Sequence, residues 1–227
     1  RLNGRQIATV DYAEAATSVD NIVVTNTDEN AVSFDNVRVF EKIKHDDYVP
    51  APVKPKGEED HIVGMNICSL WRNGTHFGWS CISPYEDAEL ALGYYDEGNT
   101  ETADWEIKYM VEHGIDFQAF CWYADNGNAP LYHLNNSMHL HDGYLYADYS
   151  DAMKYCLIWE CANAARPKDF DAWKNYYVPY LMENYFKDSR YMSIDNQLVL
   201  AVFGASKLSE QLGGAPKVKE CFDYLEE

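Results

Sequence analysis

From residue 62 onward, short apolar runs alternate with segments whose apolar residues recur every three to four positions. This alternation restricts the fold more than any other feature of the chain. The runs Ile62–Cys68, Phe117–Trp122, Tyr155–Trp159 and Leu198–Phe203 read as strands. Between them, Ala103–His113 places Trp105, Ile107, Met110 and Val111 on one helical face and stops at His113-Gly114. Asp169–Phe186 carries Phe170, Trp173, Tyr177, Leu181 and Tyr185 at helical spacing. Pro179 inside it is expected to kink or split that helix. Pro216–Leu225 forms a further helix, with the proline suited to its first turn. Strand and helix alternating at this spacing mean βα units, a parallel sheet and the α/β class. A complete (β/α)₈ barrel takes about 250 residues, more than residues 61–227 offer. The expectation is therefore a partial, truncated TIM-type barrel, cut before its later units, or a smaller open sheet.

The first 44 residues have a different texture. Val19–Val24 and Val32–Phe40 read as strands, separated by the turn cluster Thr25–Asn30, with room for a bulge at Asp35-Asn36. They look like the closing strands of a β-sandwich that began earlier. Residues 45–60, with Pro50, Pro52, Pro55 and Gly57 among charges, read as a linker. Three regions are thus expected: 1–44, an all-β segment; 45–60, a linker; and 61–227, the first half of a barrel.

Charge narrows the partners. Asp and Glu number 37 against 18 Lys and Arg, a net charge of −19. That balance excludes the basic footprint of a nucleic-acid binder and disfavours anionic lipid. No apolar run approaches the roughly 20 residues of a spanning helix, so no membrane span is expected. Eighteen Tyr, nine Phe and six Trp with this acidity suit a neutral polar ligand such as a sugar, although composition alone favours a plain soluble acidic surface. The chain starts at Arg1 without a signal-peptide pattern and reads as mature, trimmed or cut from something longer. Of six cysteines, Cys68, Cys121 and Cys156 sit in apolar runs and none has CxxC spacing, so reduced, buried thiols are expected.

In parallel βα sheets the chemistry gathers at the C-terminal ends of the strands. The residues there are Trp71 after the first strand, Trp122, Tyr123 and Asp125 after the second, and Trp159, Glu160 and Asn163 after the third. Rings that stack on pyranose faces beside a carboxylate fit sugar chemistry. Glu160 follows Cys-Leu-Ile-Trp, where a carboxylate is costly to bury without partners. Glu160 and Asp125 are accordingly the candidate catalytic carboxylates. Trp71, Trp122, Tyr123, Trp159 and Asn163 are the candidate substrate-binding residues. For Trp122 and Trp159, plain core packing stands beside that reading. No P-loop, GxGxxG, HExxH or GxSxG is present. His133, His139 and His141, with Asp142, are spaced so that a metal is conceivable, but a polar loop is the preferred reading. Neither a metal nor a cofactor is expected.

Four segments in order carry a resemblance: Leu92-Gly93-Tyr94-Tyr95-Asp96, the stretch Trp105 to Phe117 through His113-Gly114-Ile115-Asp116, Asn184 to Tyr191 through Phe186-Lys187-Asp188, and Asp195 to Leu200. Together they resemble the glycoside hydrolase family 99-like and WbsX-like (β/α)₈ domains, over roughly residues 62–205. Ser189 and Leu198 stand where that pattern has prolines. Phe34–Phe40 and the strands before it are similar to the end of a laminin-G-like or concanavalin-like sandwich. The resemblance implies an endo-α-mannosidase-type or related glycosidase without cofactor, in a multidomain bacterial protein, extracellular or periplasmic. Its glycan or polysaccharide substrate would meet a barrel completed by the remainder of the same polypeptide. Glu160 occupies the position of the family's glutamate after the third strand. Cys161-Ala162 replaces the Pro-Tyr that follows there, and Asn163 is the nearby polar residue where a second carboxylate is expected. The WbsX-like branch, associated with glycosyl transfer in surface-polysaccharide synthesis, has a Trp-Ala-Asn-Glu run to which Trp159–Asn163 is loosely similar. A non-catalytic carbohydrate-binding module is the remaining alternative.

Overall fold

The computed structural model describes residues 49–55, 61–72, 78–82, 84–85, 93–124, 134–135 and 137–226. The expected sandwich strands of residues 1–44, most of the linker, Asp125 and His133 lie outside the described residues.

The fold is α/β. Four parallel strands, β1 (Gly64–Ile67), β2 (Phe117–Ala124), β4 (Lys154–Glu160) and β7 (Leu200–Phe203), pair in the order β1-β2-β4-β7. A two-residue strand, β3 (Leu134–Asn135), pairs antiparallel with the end of β2. The helix α1 (Thr100–Glu112) connects β1 to β2. The Asn99 side chain accepts from Glu101 N at its start, and Gly114 (φ 77°) follows its end. Residues 170–186 form one continuous helical run. In it α2 (Phe170–Ala172) and α3 (Val178–Leu181) alternate with the π-turns Trp173–Tyr177 and Met182–Phe186. Pro179 therefore neither breaks the run nor splits it. It enters just after a widened turn, where the missing donor costs least. Asp169 caps the run by accepting from Ala172 N at 2.9 Å.

The expected strand over 198–203 is divided. β5 (Ser193–Ile194) and β6 (Gln197–Leu198) make a hairpin of their own. Its turn residues Asp195 (φ 52°) and Asn196 (φ 64°) have the positive φ that a tight hairpin demands. Only Leu200–Phe203 joins the main sheet. It leads into α4 (Ala205–Leu212), which the sequence reading did not anticipate, and then α5 (Ala215–Glu226), whose first turn holds Pro216.

Strand register sorts the side chains onto two faces. Phe120 pairs with Leu157 and Trp122 with Trp159, so these four share a face with Tyr155, which pairs with Gln118. Against them pack Ile107 and Val111 of α1, Tyr144, and Trp173, Tyr177 and Tyr185 of the 170–186 run. Trp159 stacks on Trp173 at 5.3 Å, and Trp122 meets Tyr185 edge-on at 6.4 Å. Each such ring removes roughly 150–250 Å² from water, about 4–6 kcal/mol before entropy is counted. The opposite face carries Asn66, Ala119, Cys121, Tyr123, Ile158, Glu160, Ala201 and Phe203. It is more open, with Phe203 59% exposed.

All six cysteines are free thiols. Burial pushes Cys156 up to about 11 and Cys161 up to about 12.

Candidate functional site

The C-terminal edge of the sheet is organised by Glu160. Its Oε1 accepts from Ala162 N (2.9 Å) and Asn163 N (3.1 Å), and its Oε2 from Asn163 N (3.0 Å) and Ala164 N (2.8 Å). Three backbone N–H groups thus converge on one carboxylate and fold residues 160–164 into a tight turn around it. Arg166 Nη1 closes the other side, donating to the carbonyls of Cys161 (2.6 Å) and Ala164 (3.2 Å). This turn is fixed to both neighbouring strands. Ala165 N donates to Ala124 O of β2 (3.1 Å), and Cys161 N to Phe203 O of β7 (2.8 Å). Gly204 (φ 78°) makes the second contact possible, because a Cβ there would lie 2.7 Å from Ala162 N.

The expected site residues divide between the two faces. Glu160 and Tyr123 share the open face. Tyr123 is half-buried, its hydroxyl 3.3 Å from Cys68 Sγ. Burial raises the pKa of that hydroxyl, and the neighbouring Cys68 raises it further. Trp122 and Trp159 lie on the helix-facing side at 0% and 1% exposure, within the aromatic core. The backbone of Asn163 is bound to Glu160, and Asn163 itself is exposed. Trp71 follows β1 and stacks on Trp79 at 4.5 Å. Tyr94 and Tyr95 add edge contacts to Trp79 at 5.5 and 5.1 Å. This four-ring cluster, with Tyr94 40% exposed, extends well beyond the single Trp71 of the sequence reading.

A second polar centre lies under that cluster, between α1 and the residues that follow β1. Glu97 Oε2 accepts from Trp71 N (2.8 Å) and Ser69 Oγ (3.0 Å), while Ser69 Oγ accepts from His139 N (3.0 Å). His139 Nε2 is 2.8 Å from Glu106 Oε2, and Nδ1 is 3.9 Å from Glu97 Oε1. His139 is 1% exposed. Burial lowers its pKa, but Glu106 and Glu97 outweigh that and raise it. Burial raises the pKa of Glu97 against the donors on its carboxylate. Gly143 allows the close approach of this segment, since a Cβ there would lie 2.5 Å from Glu97 O. Of the histidines of the sequence reading, His141 does not join this centre: its Nε2 lies 2.6 Å from the Tyr185 hydroxyl. The signal that could have found this centre is Glu106, which shares the buried α1 face with Ala103, Ile107 and Met110.

Compared with known proteins, the chain matches no family model, and no curated protein or solved structure is significantly similar to it.

Proposed function

We propose that the protein is a glycoside hydrolase acting on a glycan or polysaccharide, of the endo-α-mannosidase type, in an extracellular or periplasmic setting. The observation that carries this reading is the position of Glu160. A carboxylate ends an inner strand of a parallel sheet, on the face that also carries Tyr123, and is itself buried at 5% exposure. Three N–H donors hold it rigidly, which is the preorganisation a transition state rewards. In this reading Glu160 acts as base, nucleophile or charge stabiliser. The proton donor is then Asp125, or a carboxyl group from elsewhere in the same polypeptide. Trp71 and its aromatic neighbours supply stacking surface, with Tyr123 at the floor and Asn163 at the rim. Trp122 and Trp159 support the site from beneath without touching the sugar.

Parallel sheets are ordinarily covered on both faces. The partly open face supports a (β/α)₈ barrel of which β1, β2, β4 and β7 are four staves, the others being contributed by further chain. The test is release of new reducing ends from soluble α-mannan and related polysaccharides by the intact protein. Activity is expected in the wild type and is expected to fall at least about 10²-fold in Asp125→Asn. Full activity in that variant removes Asp125 from the mechanism, and no release from any glycan contradicts the hydrolase reading.

A further inference from the structure

We propose that Glu106, His139 and Glu97 form a binding site for one divalent transition-metal ion, of the Mn²⁺ or Zn²⁺ class. One ligand atom from each of the three lies within 4.8 Å of the other two. The cluster is buried, with side-chain exposures of 15% for Glu106, 1% for His139 and 5% for Glu97.

The independent observation is the state of the imidazole. Both ring nitrogens of His139 and Oε2 of Glu106 are buried without a hydrogen bond. Nε2 and Oε2 are nevertheless only 2.8 Å apart. The two atoms are close enough to bond, but the ring N–H direction does not meet the oxygen. A buried polar atom in that condition needs an explanation, and an ion is one of the few available. The geometry suits it. Two donor atoms this close, each about 2.1 Å from a shared ion, subtend about 84° there, near the right angle of adjacent octahedral ligands and narrower than the tetrahedral angle of zinc, which favours Mn²⁺ of the two. Without an ion, the same groups form a protonated His139 paired with Glu106 at 2.8 Å and, more loosely, with Glu97 at 3.9 Å.

Glu97 supplies the third ligand by turning its carboxylate. Ser69 Oγ and Trp71 N hold its Oε2, and Oε1 lies 3.9 Å from Nδ1 of His139, the ring nitrogen other than the Nε2 that faces Glu106. Anchoring of a ligand carboxylate by outer hydrogen bonds is the usual means of fixing a metal site. One imidazole nitrogen and two carboxylates favour Mn²⁺, Fe²⁺ or Zn²⁺ over Ca²⁺ or Mg²⁺. The ion's two charges balance Glu97 and Glu106. Glu106, the least buried of the three, marks the route of entry. The site ties the segment after β1 to α1 and to His139, beneath the Trp71 cluster.

The test uses the intact protein, freed of metal with a chelator and dialysed. Addition of Mn²⁺ or Zn²⁺ is expected to bind one equivalent per chain, by equilibrium dialysis with elemental analysis, and to raise the melting temperature by several degrees. Mg²⁺ at the same concentration is expected to do neither. Glu106→Gln and His139→Asn are each expected to weaken binding at least about tenfold. If neither variant folds, anomalous scattering from Mn²⁺-soaked wild-type crystals is expected to place the ion between these three side chains. No bound equivalent in the wild type, unchanged affinity in a folded variant, or an ion located elsewhere overturns the proposal.

Discussion

At the scale of single residues, Tyr185 holds the aromatic layer in register. Its hydroxyl accepts from Trp122 Nε1 at 2.9 Å and lies 2.6 Å from His141 Nε2, and the side chain is 0% exposed. Tyr185→Phe leaves the shape of the core intact but strands the Trp122 N–H in a dry interior. The expected cost is about 1–3 kcal/mol, measured by urea denaturation. An unchanged midpoint would mean that the N–H finds another acceptor. The sequence singled out Trp122, Trp159 and Glu160, but it could not assign their faces. Strands that read as continuous apolar runs lack the alternation that separates one side from the other. Nor could it show what satisfies Glu160. Its partners are the N–H groups of Ala162, Asn163 and Ala164, and a backbone donor leaves no mark on residue identity. Glu97 and Glu106 stayed hidden for a related reason, and the sequence reads His139 with His133 and His141 as part of a polar loop. Glu97, Glu106 and His139 come from three separate segments, and only the fold brings them together.

At the scale of elements, the strands and the long helices were legible because their apolar residues announce their period. The π-turns around Pro179 were not, since a widened turn shifts the pattern by a single residue. The β5–β6 hairpin was missed because it precedes the apolar run and shares only Leu198 with it, although Asp195-Asn196 carried its turn signal. Two junctions yield predictions. Gly204 has φ 78° and faces the backbone of Ala162, so Gly204→Ala meets both an unfavourable conformation and a clash. A loss of at least about 1–3 kcal/mol is expected by thermal or chemical denaturation. Retention of wild-type stability would show that the 160–164 turn yields freely. The junction before β5 is held by Arg190, which binds Asp188 at 2.6 Å, Ser150 Oγ at 2.7 Å and Leu145 O at 3.1 Å. Burial alone would raise the Asp188 pKa, but the Arg190 guanidinium and N–H outweigh it and hold it below the usual range. Folding therefore favours the ionised carboxylate. Its contribution is complete above the unfolded value of about 3.9 and fades as pH falls through the lower folded value. Asp188→Asn should consequently show a shallower loss of melting temperature below about pH 4 than the wild type. Parallel acid curves for the two proteins would contradict that linkage.

At the scale of the molecule, a parallel sheet of the α/β class was readable from strand–helix alternation alone, and the described residues form four parallel strands in sequential order. No described helix is long and apolar enough to cross a membrane. The acidic composition of the chain, its aromatic cluster at Trp71, Trp79, Tyr94 and Tyr95, and a rigidly held carboxylate at a strand end all support a polar, uncharged ligand over an anionic one. The central claim is that Glu160 performs chemistry on that ligand and does not merely shape its own turn. The most direct measurement is the turnover of Glu160→Gln on a cleaved glycan, with glycan affinity and melting temperature determined on the same preparation. The account predicts turnover lower by at least about 10²-fold, affinity within a few-fold, and a lower melting temperature, because the amide NH₂ faces N–H groups that a carboxylate oxygen accepts, with the variant still folded at the assay temperature. Undiminished turnover in the folded variant would contradict it and leave Glu160 as the anchor of residues 160–164.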